Sequence, residues 1–134
     1  MPSKNRNYYK KIISEHKKIL ARARSLIGVM LEKIEEEVKE FENIPQDDEE
    51  YIKKKEELKL WWGDKESASG VLAKLTTILL KLIPLELEIA RTDLTKADLM
   101  ELESIAEKTQ IPQEDMEIIE RYVEKFKQIK QDQS

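Results

Sequence analysis

His16 is the only histidine in the chain, and there is no cysteine. Thiol nucleophiles, disulfides and thiolate metal sites are therefore absent, and no multi-histidine site can form within one chain. Carboxylates are plentiful, with 28 Asp and Glu in 134 residues. Runs such as Glu35, Glu36, Glu37 and Asp47 to Glu50 then arise by composition and read as a solvated face and a loop. The di-metal helix bundles need a Glu-x-x-His pair on each of two helices, but the residue three before His16 is Ile13. Phosphate-binding loops and nucleophile elbows need glycines at fixed spacing, and this chain has 3 in all. Lys11, Lys17 and Lys18 surround His16 in sequence, and their charge favours the neutral ring. His16 reads as a surface or interface residue. The sequence predicts no enzyme, no catalytic set, no cofactor and no metal.

The distribution of charge is more informative. Lys4, Arg6, Lys10, Lys11, Lys17, Lys18, Arg22 and Arg24 face Glu15 alone within the first 25 residues, a local charge of +7. The whole chain carries −4, which leaves −11 for the rest. A basic head on an acidic body points to an anionic partner for the head, with Tyr8 and Tyr9 placed to stack or anchor. That partner is nucleic-acid phosphate, an acidic protein or the acidic body of another copy. The apolar stretch at 71–87 is broken by Lys74, Lys81, Pro84 and Glu86, and residues 1–11 lack the apolar core of a signal peptide. No membrane association and a cytoplasmic location are expected.

The elements that must position these residues are helices. Charged residues make up 39% and hydrophobic ones 40%, with only 3 Gly and 4 Pro, a balance that favours regular helix over turn-rich β folds. One all-α domain of four to five helices is expected over 1–134. The first helix spans about 8–42, with Ile12, Ile19, Ala23, Leu26, Ile27, Met30, Ile34, Val38 and Phe41 at helical steps. Such a helix is roughly 50 Å long. Register shifts after Met30 argue against one continuous coiled coil, and Ala21, Ser25 and Gly28 form a small-residue strip suited to close approach of another helix, with 67–70 as a candidate for it.

Pro45 ends this helix, and Asp47 or Asp48 caps a short charged one reaching Leu60. Trp61 and Trp62 then mark a boundary and a candidate interface. The most apolar segment, 65–91, is the expected core helix, with Val71, Leu72, Leu75, Ile78, Leu79, Leu82 and Ile83 in a wide stripe followed by Leu85, Leu87 and Ile89. Pro84 is expected to kink it near Leu80. Thr95 is placed as the cap of a fourth helix over 96–108 that buries Leu99, Leu102 and Ile105. Pro112 opens a fifth with Met116, Ile119, Val123 and Phe126 on one face, and 131–134 is a frayed tail.

The stretch from Glu103 to Tyr122 resembles a helix-turn-helix, with Ile105, Ala106, Ile111, Met116 and Ile119 at its packing positions. It departs at Thr109 and Gln110, where that motif has an apolar residue and glycine. The second helix begins with Gln113, Glu114, Asp115 and Glu117, which would carry negative charge toward phosphate. A structural helical hairpin is the expected reading. Together these features predict a self-associating helical adaptor or assembly protein, with a homo-oligomeric or helical protein partner. The alternative is a nucleic-acid-binding accessory protein, of the kind used in phage DNA packaging or regulation, acting through the basic amino-terminal helix.

Overall fold

The computed structural model describes residues 4–53 and 68–132. The fold is all-α: α1 (Arg6–Glu42), α2 (Ala68–Arg91), α3 (Leu99–Lys108) and α4 (Gln113–Asp132), with residues 49–53 also helical. As expected, a long first helix packs along the central one. Trp61, Trp62 and the rest of the short charged helix lie outside the described residues.

Helix α1 starts two residues earlier than the apolar spacing predicts because Asn5 caps it. Asn5 Oδ1 accepts the Tyr8 amide at 3.0 Å, which occupies one of the free donors of the first turn. Pro45 follows the other end, where its carbonyl accepts the Asp48 amide; Asp48 Oδ1 then takes the Glu50 amide and caps residues 49–53.

The buried line of α1 is Tyr9, Ile13, Leu20, Ala23, Ile27, Met30 and Ile34, with half-buried His16 between Ile13 and Leu20. Its steps alternate between four and three, the spacing of a heptad seam, and the register holds through Ile34. The expected stripe had Ile12 and Ile19 in this line. The structure puts Ile13 and Leu20 there instead and leaves Ile19 44% exposed. Both pairs are adjacent apolar residues, so the periodicity alone fits either; the placement of α2 and α3 decides.

Helix α2 runs antiparallel to α1, since Arg24 meets Glu86 and Arg6 meets Thr95. Its inner line is Val71, Leu75, Ile78, Leu82, half-buried Leu85 and Ile89. The helix is continuous through Pro84. Pro84 has no N–H for the Leu80 carbonyl, but both residues are exposed, so water can serve that carbonyl.

Thr95 does not cap α3. Its amide and hydroxyl both donate to Asp93 Oδ1, at 3.0 and 2.6 Å, and these bonds hold the Asp93 carboxyl below its ordinary range. Asp98 caps instead, accepting the Glu101 amide at 2.8 Å. The helix therefore begins at Leu99, which is exposed, while Leu102, Ile105 and Ala106 are buried. In α4 the Pro112 carbonyl accepts the amides of Asp115 and Met116. Ile119 and Tyr122 are its buried apolar residues among those described; the expected Met116, Val123 and Phe126 flank them half-buried. Arg121 and Lys125 lie 5.1 and 5.7 Å from the Tyr122 ring centre. Helices α2, α3 and α4 all pack on α1. Among the described residues no helix is long and apolar enough to cross a membrane.

Candidate interaction surfaces

The basic head becomes an ordered row once α1 forms. Relative to the buried seam, Lys10, Lys17 and Arg24 occupy one flanking heptad position, and Lys11 and Lys18 the next position outward. Like positions recur about every 10.5 Å along the axis. All of these except half-buried Lys10 are exposed, as are Lys4 and Arg6. The single acid of this stretch, Glu15, stands four residues after Lys11 and three before Lys18, so it neighbours both on the helix surface. Arg22 leaves the row and lines a groove of about 340 Å³ between α1 and α4, with Ile19, Leu26, Met116 and Val123.

Two of the eight cations are spoken for by the fold. Arg6 Nη2 donates to the Thr95 carbonyl at 2.9 Å, tying the start of α1 to the turn before α3. Arg24 Nε lies 2.9 Å from Glu86 Oε2. An exposed pair of this kind contributes on the order of 0–1 kcal/mol. Their first role is thus to align helices.

Tyr8 and Tyr9, paired in sequence as candidate contacts, separate in the structure. Their rings meet edge to face, with centres 5.1 Å apart at 80°. Tyr9 is only 8% exposed and belongs to the core, whereas Tyr8 remains on the surface. Adjacent helical residues differ by about 100° around the axis, so only one of the two could face the seam.

His16 is half-buried, with one ring nitrogen engaged by the fold. Its Nδ1 lies 3.0 Å from the hydroxyl of Thr109, a fully buried side chain whose O–H donates to the Ile105 carbonyl at 2.7 Å. That hydroxyl has one proton and the carbonyl can only accept, so Nδ1 of His16 carries the hydrogen and donates. Burial pushes the His16 pKa down, partly opposed by Glu15. A neutral imidazole thus completes the α1 seam and satisfies the polar atom that Thr109 brings into an apolar position. Sequence reading missed this pair because 93 residues separate its members.

Asp115 is the buried carboxylate among the described residues. Lys81 Nζ stands 3.6 Å from its Oδ2, an atom with no hydrogen bond. No second buried acid accompanies it among the described residues, so the paired carboxylates of acid–base catalysis are not assembled there.

Among the described residues no helix meets the small-residue strip of α1: Ala21, Ser25 and Gly28 are exposed, and nothing lies within 4 Å of where a side-chain carbon on Gly28 would stand. Helix α2 presents a more distinctive surface. The positions opposite its seam are Ala73, Thr76, Thr77, Leu80, Ile83, Pro84, Leu87 and Ala90, all exposed and none charged. Leu80 is 62% exposed, Leu87 45% and Ile83 40%. Thr77 donates its hydroxyl to the Ala73 carbonyl at 2.8 Å, so its polar atom is satisfied within the helix. Ile83 and Leu87 had been expected in the core. A helix apolar all round buries only the side its neighbours cover, and the uncharged outer positions were the sequence signal for the remainder.

Comparisons with protein-family models, with curated proteins and with solved structures give no match to this chain.

Proposed function

We propose that this chain is a non-enzymatic helical adaptor or assembly protein of the cytoplasm that works by protein–protein contact and by self-association. One observation carries the reading: the solvent face of α2 is free of charge from Ala73 to Ala90 and exposes Leu80, Ile83 and Leu87. Exposed faces of helices are ordinarily charged, and a contiguous apolar patch marks an interaction site. Light scattering across a concentration series tests it. The expected result is a mass that rises with concentration and returns to the monomer value in Leu80→Glu/Leu87→Glu, with helicity unchanged. A strict monomer at tens of micromolar would count decisively against self-association.

A second reading is favoured by the row on α1. Lys10, Lys11, Lys17 and Lys18, on one side of α1 with Glu15 as the one acid beside them, suit a phosphate backbone, which makes the chain a nucleic-acid-binding accessory protein. Each phosphate neutralised adds about 0.9 to the slope of log affinity against log salt. Binding to short duplex DNA should therefore weaken steeply with salt and vanish when the four lysines are changed to glutamate. Unchanged affinity in that variant removes the proposed site.

A further inference from the structure

We infer that the outer face of α2 pairs with the same face of a second copy, the two helices antiparallel about a two-fold axis. This rests on the self-association reading and specifies its geometry. Ala73, Thr76, Leu80, Ile83, Leu87 and Ala90 follow one another at alternating three- and four-residue steps, so α2 carries a second heptad seam on its exposed side. In an antiparallel pair the two kinds of seam position face each other. Leu80 then stands opposite Ile83 of the partner subunit, Thr76 opposite Leu87 of the partner subunit, and Ala73 opposite Ala90 of the partner subunit. Every position of the seam finds a partner within the same six residues, which is the self-complementarity an isologous interface needs.

The helix dipoles select the orientation, since they oppose in an antiparallel pair and align in a parallel one. Lys74, Lys81 and Glu88 flank the inner seam, on the side of α2 away from the outer face. The outer seam itself brings no like charges together in either case. Size sets the strength: 18 residues make a face about 27 Å long and roughly 10 Å wide, less than the about 800 Å² that each partner gives to a standard interface. The dimer should dissociate on dilution.

The absence of cysteine permits a direct test on the full chain. Ala73→Cys and Ala90→Cys are prepared separately and mixed at high concentration under mild oxidation, alongside light scattering of the unmodified protein. The expected result is a reversible dimer and a disulfide-linked species that forms in the mixture but not in either variant alone, since close-packed helices bring facing positions within disulfide reach. A dimer whose variants link only to themselves would overturn the antiparallel seam while leaving self-association intact. A monomer at all concentrations would overturn both. A monomer whose melting temperature falls in Leu80→Glu would assign the face to another part of the same chain, and this too overturns the proposal.

Discussion

Helices α1 and α2 have matching inner faces and opposite outer ones. Both bury a heptad seam against each other, Tyr9 to Ile34 on one and Val71 to Ile89 on the other. Away from the seam, α1 shows Lys11, Glu15, Lys18, Arg22, Glu32, Glu35 and Glu36, while the equivalent positions of α2 from 73 to 90 show no charge. The difference separates two requirements that a helix normally satisfies together. An inner seam joins a helix to the core, and charge on the outer face favours its exposure to water. Helix α1 meets both, and α2 meets only the first.

The largest effects should come from the shared seam. Leu75→Ala and Leu20→Ala each remove a fully buried side chain and are expected to cost about 2 to 5 kcal/mol, measured by urea unfolding. A near-zero change would mean that the inner faces are not packed as described. Next comes Thr109→Val, which keeps the shape but leaves the His16 Nδ1–H without an acceptor; about 1 to 3 kcal/mol is expected. Asp98→Ala removes the α3 cap and should cost about 0.5 to 2 kcal/mol. Smallest is Leu80→Ala, expected within about 0.5 kcal/mol in the dilute monomer. Leu75 and Leu80 thus measure the two faces of one helix, and equal costs would erase the contrast drawn here.

A pH series adds a further test. His16 is neutral in the fold with a lowered pKa, so below about pH 6.5 the unfolded chain binds the proton more readily than the folded one. Stability from this group is complete above that pH and declines as pH falls toward the folded value. His16→Gln should flatten that part of the profile. An unaltered slope would show that the ring does not feel its burial.

The sequence made much of this architecture legible. Helical periodicity, few Gly and Pro and the break at Pro45 were enough for the all-α class and for a long first helix against an apolar central one. Finer placement turned on contacts between distant segments. Periodicity could not choose between Ile12 and Ile13 or between Ile19 and Leu20, because either set makes a helical stripe. Thr95 matched a capping pattern, yet Asp93 took both its amide and its hydroxyl and left the cap to Asp98. The basic residues were legible as a cluster, but their sorting into a row, an aligning pair and a groove residue required the helix. Ile83 and Leu87 were read as core because apolar residues usually are; only the position of α1 shows that their side of α2 is uncovered.

The bond between His16 and Thr109 spans 93 residues, and this has a consequence for biosynthesis. At roughly 5–20 residues per second, the ribosome adds Thr109 about 5 to 20 s after His16. For most of that interval, once Ile34 has been added, α1 has its whole apolar seam formed in sequence and lacks the α3 and α4 surfaces that complete its burial. Chains interrupted before α3 would carry that seam unfinished, so premature termination late in the message should yield products prone to aggregation or dependent on chaperones.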